Sequence, residues 1–259
     1  MRTLTTLILA AIALASNFAS AQTDLYATNV KDFTELTVAG NLNVVYSNSL
    51  DSAGIAVYRC EKSVASALTF SNNKNKLKVQ VISDTPLPST PTLYIYSTSL
   101  NKAENWGDST VTVMKNAPTA EFQAKIIGNG IIDVRDIHAT EVKASVKAGS
   151  GRIVLQGKAQ NASYTIMSSG MIEGAELATS NVKCMMWGTG SVECAPADEL
   201  KIYGMGSGDV FYKGNPNHIK NRAVGVSAIE MLSVGEGQGS DEENADGQEA
   251  DEENGLGDD

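Results

Sequence analysis

Through the second half of the chain, apolar and polar residues alternate with a period of two. The apolar sets are Phe122/Ala124/Ile126, Val142/Ala144/Val146, Ala162/Tyr164/Ile166, Val182/Cys184/Met186 and Leu200/Ile202/Gly204. That period marks strands with one buried face. A small-residue turn follows each set: Gly128-Asn129-Gly130, Gly149-Ser150-Gly151, Ser168-Ser169-Gly170, Gly188-Thr189-Gly190 and Gly206-Ser207-Gly208. The last glycines, Gly130, Gly151, Gly170, Gly190 and Gly208, are 21, 19, 20 and 18 residues apart. Two residues beyond them come Ile132, Ile153, Ile172, Val192 and Val210, all β-branched. The second set lies one residue further from its turn, because Ala148 is extra.

A repeat of this length without a helical period predicts an all-β chain wound as a parallel β-helix, or β-solenoid, with coils of about 20 residues. Equivalent residues would stack about 4.8 Å apart, so the five β-branched residues form one internal column. The turn glycines would take positive φ without a Cβ penalty and let successive coils approach closely. An antiparallel sandwich or barrel is the alternative, but one register kept over five coils favours the solenoid.

The first half alternates less regularly. Strand-like runs are Phe33–Val38, Leu42–Tyr46, Ile55–Tyr58, Leu77–Val81 and Leu93–Tyr96, with a turn at Asn72–Asn75 and a loop over Asp84–Pro91. Trp106-Gly107-Asp108-Ser109 is expected at the first corner of the regular stack. The expected organisation is a signal peptide over 1–21, a less regular N-terminal β part over 22–99, about six coils in all through 100–232, and a disordered acidic tail over 233–259.

The two ends carry different information. Arg2, the apolar run Leu7–Ala15 and Ala19-Ser20-Ala21 have the order of a secretion signal cleaved after Ala21, which predicts export to the periplasm, cell surface or medium. No later run is long enough to span a membrane. Residues 236–259 hold eleven acidic residues and no Lys or Arg, so the formal charge of −10 belongs to this segment and the rest is nearly neutral. Neither part offers the basic footprint of a nucleic-acid binder.

The order of these segments resembles the putative auto-transporter adhesin head domain, the GIN domain, of secreted proteins from Bacteroidetes-type bacteria. The residues that carry it are Phe33–Val45 (FTELTVAGNLNVV), Lys76-Leu77-Lys78-Val79, Leu93-Tyr94-Ile95-Tyr96 and turns of the type Gly206-Ser207-Gly208-Asp209-Val210. The resemblance implies a parallel β-helix-like fold and a surface or periplasmic location. It supplies no catalytic motif.

Chemistry is sparse. His138 and His218 are the only histidines, and neither lies in a triad signature, so no metal site and no cofactor are expected. Gly204-x-Gly206-x-Gly208 has no helix after it and is no dinucleotide fingerprint. Outward positions past the turns hold Asp133, Val154, Glu173, Glu193 and Phe211, a broken acidic ladder. Carboxylates on adjacent coils could serve a glycosidase, with Glu173 and Glu193 as the pair. Outward Lys183 and Lys201 precede the turns, and Trp187, four coils from Trp106, either packs over its corner or touches a partner. Cys184 and Cys194 fall on the inward register of one coil and form the candidate disulfide. The reading that follows is a non-catalytic exported module presenting a flat polar surface to an envelope component, glycan or protein. The alternative is a polysaccharide-active hydrolase or lyase using Glu173 and Glu193.

Overall fold

The structure is a computed structural model that describes residues 23–83 and 88–231. The signal-peptide reading, part of the Asp84–Pro91 loop and the acidic tail lie outside the described residues.

The chain begins with β1 (Asp24–Asn29), β2 (Glu35–Ala39), β3 (Asn43–Asn48) and β4 (Ile55–Cys60). After a short helix α1 (Lys62–Ala67) come β5 (Leu68–Asn73), β6 (Lys76–Val81), β7 (Thr92–Ser97), β8 (Lys102–Asn105) and β9 (Thr110–Lys115). Long strands follow: β10 (Thr119–Ile127), β11 (Ile131–Ala148), β12 (Arg152–Ile166), β13 (Met171–Met186) and β14 (Ser191–Gly204). The last are β15 (Asp209–Tyr212), β16 (His218–Asn221) and β17 (Ser227–Glu230). Together they build a β-solenoid of about six turns.

Each of β11 to β14 runs through a bend and contributes to three ladders, whereas β10 serves face A. The segment before a glycine corner stacks on its equivalents to form face A, in the order β5, β6, β2, β8, β10, β11, β12, β13, β14, β16. The segment after the corner forms face B, in the order β1, β4, β7, β3, β9, β11, β12, β13, β14, β15, β17. A short third side stacks Ile137 on Gly157 and Gly157 on Leu177.

The predicted column is present. Ile132 pairs with Ile153, Ile153 with Ile172, Ile172 with Val192 and Val192 with Val210, each fully buried. It continues beyond the sequence reading through Val111 and Val44 to Leu93. Chain order and stacking order part company here. The β2–β3 rung is inserted between β6–β7 and β8–β9, and antiparallel β1, β4 and β5 close that end of the stack. Residues from both halves share one core.

The corners are built on backbone contact. A Cβ on Gly151, Gly170, Gly190 or Gly208 would overlap the carbonyl oxygen of the glycine one coil before it. A Cβ on Gly130 would strike Ser109 and Gly107 carbonyls. None of these five has positive φ. Their requirement is close approach, and the left-handed conformation belongs to an earlier corner position such as Gly149, at φ +81°. Two corners use asparagine as an internal clasp. Asn105 Oδ1 accepts from the Gly107 N–H at 3.0 Å while Nδ2 donates to the Ser109 carbonyl at 2.7 Å. Asn221 repeats this with Ala223 and Val226.

Replacing Gly190 with Ala should therefore cost about 1–3 kcal/mol, because backbone must move to admit one methyl group. Thr189→Ala, at an exposed neighbouring position, should stay within about 0.5 kcal/mol. Denaturant unfolding of the two variants checks this contrast.

Candidate functional site

Faces A and B meet at the glycine corner, and they carry the sequence-predicted residues in two separate groups. Alternation fixes the outward columns of face A. Lys183 neighbours Lys201, which neighbours Lys220. The next column toward the corner holds Met185 beside Tyr203, with Arg222 one coil on, its N–H bonded to the Ile202 carbonyl. The last outward column holds the residue that precedes each corner: Trp106, Ile127, Ala148, Met167, Trp187, Met205 and Val224, with the register shifted by one at Ala148. Backbone bonds link successive coils along it, from Met167 N–H to Val146 O at 3.0 Å and from Trp187 N–H to Ile166 O at 2.8 Å, and Met205 bridges to Val224.

This column is a ridge of exposed side chains. Trp187 is 55 % and Met205 65 % exposed, and Trp106, Ile127, Met167 and Val224 also reach solvent. The two tryptophans, four coils apart, thus stand in one line. The Trp187 side chain keeps more than half of its surface in solvent. Trp106 is held more firmly: its Nε1 donates to Glu104 at 2.9 Å and Lys78 Nζ lies 5.4 Å from its ring centre.

Positive charge flanks the ridge. The carboxylates of face A are engaged: Glu35 by Lys76, Glu104 by Lys102 and Lys125, Glu121 and Glu141 by Lys143, and Glu199 by Lys201. Lys183 instead lies 5.5 Å over the Tyr203 ring, and Lys147 donates to the Met167 sulfur at 3.4 Å. Among the described residues no carboxylate pairs with Lys183, Lys220 or Arg222.

Face B carries the acids. Glu173 and Glu193 are direct neighbours on adjacent coils. Arg152 grips Glu173 with two nitrogens, at 2.6 and 2.8 Å. Burial pushes the Glu193 carboxyl up, the Glu173 charge adds to this, and Arg152 partly opposes it. A hollow beside them, lined by Asp133, Arg135, Arg152 and Val154, includes neither glutamate. His138 pairs with Asp136 at 3.0 Å in solvent, and His218 is exposed on β16. No group of His, Cys, Asp and Glu able to hold a metal occurs among the described residues.

The candidate disulfide pair lies in the core. Cys184 and Cys194 are buried free thiols. The hydrogen bond to Cys194 and burial hold the Cys184 thiol well above its ordinary range. Cys60 is also a buried free thiol. Tyr164, fully buried, reaches the space that Gly174 leaves open, and burial raises its hydroxyl far above the usual range.

Glu104 couples the basic face to the ridge. Burial raises its carboxyl, but the hydrogen bond and charge of Lys102, the charge of Lys125 and the Trp106 indole outweigh this and hold it below the usual carboxylate range. A depressed acid contributes stability above its unfolded pKa and loses it as pH falls through the folded value. Glu104→Gln should thus destabilise the protein by about 1–3 kcal/mol at neutral pH. The difference from wild type should shrink as pH drops below the ordinary carboxylate range, as denaturant midpoints across pH would measure.

Comparison with known proteins follows from this geometry. Among curated proteins, none matches the chain. Solved structures do. A putative adhesin from Bacteroides fragilis has a TM-score of 0.74 at 20 % identity, covering 82 % of this chain and 97 % of that one. A putative adhesin from Parabacteroides merdae has 0.62 at 18 %, covering 83 % and 98 %. A putative lipid binding protein from Parabacteroides distasonis has 0.64 at 18 %, covering 81 % and 98 %. At these identities the likeness is one of fold. No described helix is long and apolar enough to cross a membrane. The family model for the putative auto-transporter adhesin head GIN domain matches residues 32–216, so the chain belongs to that family.

Proposed function

We propose that this chain is a non-catalytic, exported binding module that engages an envelope component through face A. The observation that carries the reading is the grouping of Trp187, Lys183 and Lys201 with Tyr203, Met205 and Lys220 on one outward surface. Exposed apolar residues in line, bordered by Lys183 and Lys220, which have no carboxylate partner among the described residues, are what an interaction surface needs. A rigid stack holds them in place, so little ordering cost falls on binding. Export rests on the N-terminal secretion pattern and agrees with membership of an adhesin family.

A second reading has one observation in its favour. Glu193 has a raised carboxyl pKa beside Glu173, a pattern that glycosidases exploit. Against it, Glu173 is committed to Arg152 and the pair stands on the outward side of a sheet.

The test is retention on isolated envelope fragments and envelope glycans, with reducing-sugar release measured on the same samples. Binding without release is expected. Trp187→Ala combined with Lys183→Ala should lower retention about tenfold or more, as loss of an aromatic anchor and a charge does at other interfaces. Glu193→Gln should leave retention unchanged. Sugar release that Glu193→Gln abolishes would replace this reading with the enzymatic one.

A further inference from the structure

Resting on the binding-module reading, we propose that the C-terminal half of face A docks on an anionic lipid bilayer surface. The first ground is shape. Met167, Trp187, Met205 and Val224 occupy one outward column with coil-to-coil spacing, so their side chains reach a plane together, where a groove binder would need concavity. The second is chemistry. Methionine and valine offer a sugar neither hydrogen bonds nor a stacking platform, whereas they bury readily among acyl chains, and tryptophan favours the headgroup boundary. The third is charge. Lys183, Lys220 and Arg222, which pair with no carboxylate among the described residues, lie on the same side of the sheet as the ridge, where lipid phosphates would meet them. Across the corner, Glu193 and Asp209 line face B, where Arg152 already neutralises Glu173, so an anionic surface is disfavoured there and the molecule is oriented with face A down.

The protein reports on this contact itself. It has two tryptophans, Trp106 and Trp187, and both stand on the ridge. The full chain is mixed with vesicles of phosphatidylglycerol and phosphatidylcholine, with vesicles of phosphatidylcholine alone, and with dextran sulfate as a soluble polyanion. Sedimentation with the anionic vesicles and a blue shift of tryptophan emission are expected, with binding to the neutral vesicles about tenfold weaker or less. Lys183→Glu with Lys220→Glu should abolish the preference for anionic lipid, and Met205→Ser with Val224→Ser should weaken vesicle binding while leaving any dextran sulfate binding unchanged. Circular dichroism of each variant should match wild type, since all four positions are on the outer surface.

No binding to anionic vesicles overturns the proposal. So does vesicle binding that is indifferent to the ridge substitutions, or tight binding to dextran sulfate alone, which would make the partner an acidic polymer. If vesicles fail while the Trp187 and Lys183 variant still lowers retention on envelope fragments, the lipid assignment falls and the binding-module reading stands. If that variant has no effect either, both fall.

Discussion

The closeness of successive coils at the glycine corner governs this molecule. At all five of the predicted glycine corners, one coil's carbonyl oxygen occupies the space where the next coil's Cβ would be. Contact of this kind sets the spacing of the ladders that run away from the corner on both sides. Ile132, Ile153, Ile172, Val192 and Val210 then close into a dry column without gaps. The polar cost of turning the chain is met inside the same corners, by backbone bonds between coils and by the Asn105 and Asn221 clasps.

That constraint also sorts the surface. With coils locked in register, every outward position repeats along a straight line, and small preferences in sequence accumulate into faces. Face A collects lysines beside a Trp and Met ridge, and face B collects carboxylates. Ion pairs on face A neutralise its acids selectively, so the residual charge is positive even though the whole chain is acidic. The formal charge of the sequence therefore describes the wrong part of the molecule for recognition.

The regular coils were legible in the sequence because their neighbours recur near twenty residues, and a column of β-branched residues survives such a period. The N-terminal rungs were not. Val44 stacks between Leu93 and Val111, partners that follow it by unequal stretches of chain, because β2–β3 is enclosed later by β6–β7 and β8–β9. No periodic signal encodes that insertion. The ridge was readable in principle: the residue before each corner is Trp106, Ile127, Ala148, Met167, Trp187, Met205 or Val224. The tryptophans look separate in the sequence because the column members between them, Ile127, Ala148 and Met167, are not aromatic. The role of the five turn glycines was half read, since they serve close approach without positive φ.

Cross-linking of engineered thiols tests the winding most directly. Ser163 and Lys183 are paired neighbours on face A, twenty residues apart in sequence, whereas Glu173 lies between them in sequence and on face B. With cysteines at 163 and 183, a short bifunctional maleimide should link the folded chain internally, and with cysteines at 173 and 183 it should not. Equal linking of both pairs, or linking of the second pair alone, would contradict the stacked coils on which both faces depend.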